Sequence, residues 1–165
     1  MAYNFQVNKK KDELEDKDRL IAVNRRARYD YFIEDHYEAG LVLLGWEVKS
    51  MREGRANVAD AYVRILGEEA FMVGAHFTPP SGMSTHGVAD PTRTRKLLLH
   101  ADELRKLVGK VQRSGYTLVP LDIHWTKGRA KLSVGLAKGK KQHDKRADIK
   151  EREWQRDKSR LLGKH

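Results

Sequence analysis

The chain has 165 residues, of which 39% are hydrophobic, 8% aromatic and 34% charged. This composition supports one modest core, and the charged fraction is high for a compact domain of this length. Thirty-three Lys and Arg against 23 Asp and Glu give a net charge of +10, which indicates a polyanionic partner: nucleic acid or an acidic membrane surface. The absence of cysteine excludes disulfides, thiolate catalysis and cysteine metal sites.

Composition divides the chain into three parts. Residues 1–19 form a charged leader, expected to be flexible, without the apolar stretch of a signal peptide. Residues 20–136 hold nearly all the large apolar side chains and are expected to fold as one domain. Residues 137–165 form a basic tail with eleven Lys or Arg against five Asp or Glu. No run approaches the roughly 18 apolar residues of a membrane-spanning helix, so we expect a cytoplasmic protein without membrane association.

Period-two alternation predicts two hairpins in the middle part. In the first, Ala61, Val63 and Ile65 share one face. The returning strand alternates through Phe71, Val73, Ala75 and Phe77. In the second hairpin, a strand of alternating residues from 117 to 125 turns at Lys127-Gly128 and returns through residues 132–136. Pro120 predicts that its strand lies at an edge or carries a bulge. Residues 29–33 and 41–44 are also strand-like.

One helix is clear between the two hairpins. Leu104, Leu107, Val108 and Val111 have the i, i+3, i+4, i+7 spacing of one helical face. Gly115 suits the position just after the helix end. A shorter helix is predicted over residues 47–52. Together these elements predict a mainly β fold: an antiparallel barrel of the oligonucleotide-binding (OB-fold-like) type with a few short helices.

The tail has a different character from the barrel. Asp144 is a suitable cap for a helix that extends to about Leu162. Asp148 and Arg152 form an i, i+4 pair on it, but its few apolar residues make no continuous stripe. Such a helix has nothing of its own to pack against, so we expect it to be disordered alone and to fold on a polyanion.

The sequence contains little that points to catalysis. None of the seven histidines pairs with another at the i, i+3 or i, i+4 spacing of a helical metal site. Residues 135–141 resemble a phosphate-binding loop only superficially, because the spacing is one short and no Ser or Thr follows the lysine. Four acidic residues are candidates for a nuclease site, although their spacing does not require one: Glu38, Glu47, Asp60 and Asp122. We expect no catalytic residues, metal or cofactor.

Basic residues cluster at 25–28, at 93–96 and at 138–146, which suits phosphate binding. Aromatic or imidazole side chains accompany them and could stack on unpaired bases: Tyr29, Tyr31, His143 and Trp154. Tyr29 and Tyr31 could equally belong to the core or rim of the barrel. Trp154 lies where no core is expected, so it is predicted to be exposed or to meet a partner.

Four long motifs resemble one known family. They are Glu38-Ala-Gly with residues 45–54 (Gly-Trp-Glu-Val-Lys-Ser-Met-Arg-Glu-Gly), residues 90–99 (Asp-Pro-Thr-Arg-Thr-Arg-Lys-Leu-Leu-Leu), residues 135–146 (Gly-Leu-Ala-Lys-Gly-Lys-Lys-Gln-His-Asp-Lys-Arg) and residues 150–154 (Lys-Glu-Arg-Glu-Trp). In this order they resemble the tmRNA-binding (SsrA-binding) protein family, small protein B of trans-translation. The resemblance covers roughly residues 20–162.

This resemblance implies a non-enzymatic, monomeric protein with an OB-type barrel that binds the tRNA-like part of tmRNA near its elbow and D-loop. It implies delivery of alanyl-tmRNA, with elongation factor Tu and GTP, to ribosomes stalled on truncated messages. The tail is then expected to fold as a helix in the empty mRNA channel, next to the decoding centre of the small-subunit RNA. Ribosome rescue and tagging of the nascent peptide for degradation follow.

The resemblance also assigns residues. Asn24, Glu38 and Leu98 match family positions for tmRNA binding, and nearby cations join them in the predicted interface: Arg25, Arg26, Arg95 and Lys96. The predicted ribosome-contacting residues of the tail are Lys138, Gly139, Lys140, Lys141, His143, Asp144, Lys145, Arg146, Trp154, Leu161 and Leu162. Among them His143 is expected to stack on a base of the decoding centre.

Two other interpretations remain open at this point. A general basic barrel, such as a structural ribosomal protein, would bind many RNAs with little preference. A small nuclease would cleave RNA with a metal, and loss of Glu38 would then abolish turnover.

Overall fold

The computed structural model describes residues 19–82, 89–140 and 142–163, and for residues 113, 114, 142 and 143 it describes the backbone only. The strands are β1 Leu20–Val23, β2 Tyr31–Leu41, β3 Ala56–Asn57, β4 Tyr62–Leu66, β5 Glu69–Val73, β6 His76–Phe77, β7 Arg95–Leu98, β8 Thr117–Thr126 and β9 Arg129–Gly139. The helices are α1 Ala27–Asp30, α2 Gly45–Arg52, α3 Ala101–Ser114 and α4 Gln142–Leu162. The predicted leader, apart from Arg19, lies outside the described residues.

The strands close into an antiparallel barrel. Their order is β1-β8-β4-β5-β7-β2-β9, and β8 pairs with β9 as well, so the sheet returns to itself. β1 pairs with β8 on the same edge as β4, while β3 and β6 form a separate two-stranded sheet. Closure leaves few free strand edges, which is how small barrels limit edge-to-edge association. The predicted mainly β fold with an antiparallel barrel and short helices is confirmed.

The barrel interior and helix α3 share one apolar core. Leu107 of α3 is fully buried within it, and Leu104 and Val111 pack against it. The helix ends at Gly115, whose φ of +67° is the left-handed conformation that glycine adopts at low cost. The predicted helix between the two hairpins is therefore confirmed, as is the shorter helix, which is α2.

Pro120 marks a bulge and not an edge. The β8–β9 register shifts between Pro120 and Asp122, and β8 is flanked by β9 on one side and by β1 and β4 on the other. The bulge divides the predicted face of β8 between two clusters. Val119 and Leu121 pack with Ala27 and Ala137, whereas Ile123 and Trp125 join the main core.

The set of residues that points into the core also changes after β5, from even-numbered to odd-numbered positions. Ala70 and Met72 are in the core, while Phe71 and Val73 are only half-buried, so the predicted inward face of this strand is wrong. The chain kinks at Gly74, where φ is +81° and an added Cβ would lie 3.2 Å from the carbonyl oxygen of Asp60. Beyond this kink Ala75 and Phe77 are buried, and β6 pairs with β3 instead of β4.

β2 also differs from its prediction. The two strand-like segments at 29–33 and 41–44 are replaced by one strand of 11 residues, and Tyr29 belongs to helix α1. A register shift between Ile33 and Asp35 interrupts the pairing with β9, and the exposed polar residues 34–36 lie at that point. This polar interruption is why alternation along the sequence does not show a continuous strand.

The tail begins within the barrel and ends outside it. Ala137, Lys138 and Gly139 still belong to β9 and pair with β2, so strand pairing continues past the proposed boundary near residue 137. The predicted tail helix is present as α4, and it begins two residues before Asp144. Within the part of the chain that the structure describes, no helix combines the length and apolar character needed to cross a bilayer.

Candidate nucleic-acid interface

A row of polar side chains runs across the outer face of three barrel strands. Glu38 on β2 is paired with Ser133 on β9, and Ser133 is paired with Asp122 on β8. Ala39, the neighbour of Glu38, is fully buried, so alternation directs the Glu38 side chain outwards, where it is 52% exposed. Asp122 is paired in turn with Val23 of β1, which places Asn24 at the end of the row.

His124 connects the carboxylates of this row. Its Nε2 lies 3.3 Å from Glu38 Oε2, and its Nδ1 lies 2.7 Å from Asp122 Oδ1. The hydroxyl of Ser133 donates to the same Asp122 oxygen at 3.0 Å. Lys131 Nζ lies 3.9 Å from Glu38 Oε1. His124 was not predicted as a site residue, because only the three-strand register brings it to Glu38.

Glu38 and Leu98, assigned independently by the resemblance, line one groove. The groove has a volume of about 520 Å³. Leu98 is 54% exposed and packs over Gly40, where an added Cβ would lie 3.2 Å from its own Cβ. Glycine at position 40 therefore allows Leu98 to approach the strand closely. Cationic or imidazole side chains share the lining: Arg52, His100, Arg129 and Lys131.

Trp125 contributes an aromatic wall to the same groove. Its side chain is buried, and its indole Nε1 has no hydrogen-bond partner among the described residues. The guanidinium of Arg52 lies 5.7 Å from the ring centroid, within the range of a cation–π interaction. The groove thus combines an exposed carboxylate, an exposed leucine, an indole and several cations.

Asn24 is buried and makes local contacts. Its side-chain nitrogen donates to the carbonyl of Pro120 at 2.9 Å, and its side-chain oxygen accepts from the backbone N–H of Ala27 at 3.2 Å. These bonds fix the end of β1 against the β8 bulge and the start of α1. Arg25 and Arg26 follow it on the surface, and Arg26 lies 3.8 Å from Asp30. Asn24 therefore holds these cations in place.

Arg95 was predicted to be one of the cations that face RNA, but in the structure its side chain points into the barrel. It is fully buried, its Nε pairs with the equally buried Glu47, and its guanidinium lies 4.0 Å from the Phe77 ring centroid. Two further nitrogens donate to the carbonyls of Ala75 at 2.9 Å and Pro91 at 3.0 Å. Burial lowers the pKa of Arg95, and the hydrogen bond to Glu47 opposes that shift. Arg95 therefore stabilises the barrel through buried contacts.

Glu47 is the centre of this buried network. Its Oε1 accepts from Arg93 Nη2 at 2.6 Å and from the backbone N–H of Leu44 at 2.9 Å. The position of Glu47 three residues after the helix N-cap is a sequence signal for the second of these bonds. Its pairing with residues 93 and 95 depends on the fold. By contrast Lys96 is half-exposed, and its ammonium lies 2.8 Å from Glu69.

The four acidic residues of the nuclease interpretation are not assembled in one site. Glu38 and Asp122 both contact His124, Glu47 is enclosed with two arginines, and Asp60 lines a different cavity, of about 270 Å³. Among the described residues there is no group of three or more His, Asp or Glu side chains placed to hold a metal ion.

Aromatic rings and lysines alternate where β2 begins and β9 ends. Lys138 Nζ lies 4.5 Å from the ring centroid of Tyr116, and Lys140 Nζ lies 4.8 Å from that of Phe32, which is itself exposed. Phe32 and Tyr116 were not predicted as site residues, since the register that aligns Phe32 with Lys138 is not visible in the sequence of one strand. Tyr31 is half-buried against the smaller core cluster, as a rim residue.

The first turns of α4 are attached to α1. Lys140 Nζ donates to the carbonyl of Arg28 at 2.9 Å and pairs with Asp148, while its backbone N–H donates to the Asp30 carbonyl at 2.9 Å. Lys145 Nζ lies 3.1 Å from Asp30 Oδ1. These contacts fix where the helix leaves the barrel.

The rest of the helix projects from the barrel. Arg146 is exposed, and Asp144 is half-buried. The large apolar residues are among the most exposed in the described part of the chain, with Trp154 at 57% and Leu161 at 73%. Leu162 is similarly exposed, and Gly139 ends β9 at the surface. Lys141 and the side chain of His143 lie outside the described residues, so their predicted roles stay predictions.

Comparison with known proteins matches the chain over almost its full length. The SsrA-binding protein of Azoarcus sp. is 62% identical over 142 residues, which cover 86% of this chain and 96% of that protein. The SsrA-binding protein of Nitrosospira multiformis is 61% identical over the same length, covering 97% of that protein.

A solved structure agrees with the sequence relatives. One chain of the structure described as "tmRNA-SmpB: a journey to the center of the bacterial ribosome" has a TM-score of 0.60 and 45% sequence identity to this chain. The match covers 73% of this chain and 84% of the other. The profile of the SmpB protein family matches residues 21–164. With most of its length matched by that profile and by relatives of about 60% identity, this chain belongs to the SmpB protein family.

Proposed function

We propose that the protein binds the tRNA-like domain of tmRNA and acts in trans-translation as a non-enzymatic adaptor. With elongation factor Tu and GTP, it delivers alanyl-tmRNA to stalled ribosomes, where its tail detects an empty mRNA channel. The names of the similar proteins support this proposal: the curated relatives are SsrA-binding proteins, and the similar solved chain comes from a tmRNA–SmpB study of the bacterial ribosome. That ribosomal setting also supports action in the cytoplasm, and we propose that the protein acts as a monomer.

The groove between Glu38 and Leu98 is the observation that carries the proposal. An exposed carboxylate accepts hydrogen bonds from a 2′-hydroxyl or from the amino group of an unpaired base, which gives specificity that phosphate contacts lack. Leu98, which is 54% exposed, offers apolar surface to a base or sugar. Arg52, Arg129 and Lys131 line the same groove and suit the phosphates on either side.

We also propose tmRNA contacts for exposed cations outside the groove. Arg25 and Arg26 project from the end of β1, where Asn24 positions them. Lys96 is a half-exposed cation on β7, two residues from Leu98, and its contact with Glu69 is open to exchange with a phosphate. Arg95 contributes by supporting β7 from inside the barrel.

We assign the tail to the ribosome. Lys138 and Lys145 lie with aromatic rings where the helix leaves the barrel, so phosphates and unstacked bases could both be bound there. Lys140 is buried against Asp148 and supports the start of the helix. The exposed Trp154, Leu161 and Leu162 have no core to join, and a narrow RNA-lined channel would cover them.

The experiment that tests the proposal is a comparison of tmRNA with an elongator tRNA, each bound to the protein across a salt series. We expect a preference for tmRNA that survives about 0.2 M salt, because counterion release alone gives equal losses for both RNAs. Glu38→Gln should reduce that preference, whereas Glu34→Gln, an exposed position on the same strand, should not. Equal affinities that fall together with salt would favour a general basic barrel, and metal-dependent cleavage would favour a nuclease.

A further inference from the structure

His124 is held between two carboxylates that come from different strands. Asp122, on the same strand β8, lies 2.7 Å from Nδ1, and Glu38, from β2, lies 3.3 Å from Nε2. The imidazole is only 18% exposed, whereas Glu38 is 52% exposed and faces the groove. The histidine is therefore the inner member of the pair, and the glutamate is the member that a ligand reaches.

The hydrogen-bonding capacities of these groups fix the orientation of the ring. An ionised carboxylate only accepts hydrogen bonds, so each nitrogen of His124 faces an acceptor. Asp122 is held by the donated hydroxyl of Ser133 at 3.0 Å, which leaves it anchored on the barrel surface. With Nδ1 held at Asp122, the ring places Nε2 at Glu38.

We infer that His124 is a positioning residue for RNA recognition, which holds the Glu38 carboxylate in the groove for an RNA hydrogen-bond donor. This inference rests on the proposed function. Its chemical basis is that a glutamate side chain has several rotatable bonds, and fixing it before binding removes an entropy cost from the complex. His124 engages Oε2, so Oε1, which lies 3.9 Å from Lys131 Nζ, is the oxygen presented to a 2′-hydroxyl or to a base amino group.

Two substitutions separate the two contacts of the ring. In His124→Gln the side-chain nitrogen takes the place of Nε2, so the contact to Glu38 is kept and that to Asp122 is lost. In His124→Asn the nitrogen takes the place of Nδ1, so the contact to Asp122 is kept and that to Glu38 is lost. The inference predicts that His124→Asn weakens tmRNA binding by about tenfold, the value of one charge-assisted hydrogen bond. His124→Gln should remain within about twofold of the wild type.

A merely structural histidine would give a different pattern. If His124 served only to join β8 to its neighbours, His124→Asn and His124→Gln would weaken binding alike and lower the melting temperature alike. A second test combines His124→Asn with Glu38→Gln. The double variant should bind no more weakly than Glu38→Gln alone, because the two residues act through one contact. Additive losses would overturn the inference.

The controls separate this inference from the proposed function. His76→Asn changes an exposed histidine on β6 and should leave tmRNA affinity unchanged. A wild-type protein without preference for tmRNA over elongator tRNA would refute the proposed function itself. A wild-type preference that persists undiminished in His124→Asn would leave the function standing and refute the positioning role of His124.

Discussion

At the scale of single residues, charged side chains occur in two environments, exposed at the surface or buried with a counter-charge. Glu38 and Glu47 lie nine positions apart and have the same side chain, yet one is exposed in a groove and the other is enclosed with Arg95. Water competes for the exposed charge, so that charge is available to a ligand. The enclosed charge is satisfied internally and is unavailable, so residue type alone does not distinguish the exposed glutamate from the buried one.

Glu47→Gln should destabilise the fold by about 3–5 kcal/mol, because it leaves the buried Arg95 without its counter-charge. Urea denaturation, followed by Trp fluorescence, gives the free energy of unfolding directly. Glu69→Gln is the matched control, since it removes an exposed pair with Lys96 and should cost about 0–1 kcal/mol. Equal and small losses for both variants would mean that the buried pair contributes nothing beyond a surface pair.

At the scale of elements, local sequence patterns predicted the structure correctly. Helix α3 followed from four residues on one face and a terminal glycine, and the β8–β9 hairpin followed from alternation around Lys127-Gly128. The faces of β5 and β8 did not follow, because Gly74 and the bulge after Pro120 each change the phase of the strand. A single strand contains no information about which neighbour requires such a change.

The candidate site shows the same limit. Motif resemblance identified Glu38 and Leu98, which the fold brings to one groove. It did not identify His124, Trp125 or Phe32, whose roles depend on cross-strand register. It also placed Arg95 with the surface cations, since a run of basic residues on a strand does not reveal which of them points inwards.

The end of β9 determines where the tail can be removed. Ala137, Lys138 and Gly139 pair with β2, and the backbone of Lys140 donates to Asp30, so a chain that stops after Leu136 loses part of the barrel. Truncation after Lys140 should preserve tmRNA affinity and abolish peptide tagging. Truncation after Leu136 should lower the melting temperature as well. Binding by filter retention, tagging in a translation assay and thermal unfolding by circular dichroism measure the three effects.

This pair of truncations tests the division between barrel and tail. Full tagging by the chain that ends at Lys140 would contradict a ribosomal role for α4. Equal melting temperatures for the two truncated chains would contradict a role of residues 137–139 in the barrel.

At the scale of the whole molecule, the positive charge is divided between the barrel and the tail. Residues 141–165 carry nine Lys or Arg and five Asp or Glu, which is +4 of the total net charge of +10. The barrel therefore retains +6 for tmRNA when the tail is removed. A positive barrel and a positive tail repel each other, which favours a tail directed away from the barrel and available to a second RNA.

The last prediction concerns this projecting helix before it meets RNA. Beyond Asp148 every described side chain of α4 is exposed, so ordering the helix costs about 1–2 kcal/mol per residue without core burial to offset it. We expect the circular dichroism of the full chain, minus that of the chain ending at Lys140, to show a tail that is mostly not helical in buffer. Adding trifluoroethanol should raise the helical signal, because it favours helix formation in isolated segments. An RNA mimic of the mRNA channel should also raise it, because the RNA phosphates neutralise the lysines and the RNA surface covers Trp154 and Leu162. A difference spectrum that is already fully helical in buffer would show that the Lys145–Asp30 and Lys140–Asp148 contacts are sufficient to nucleate the helix. Lys145→Ala should then reduce it, and the tail would reach the ribosome as a preformed rod.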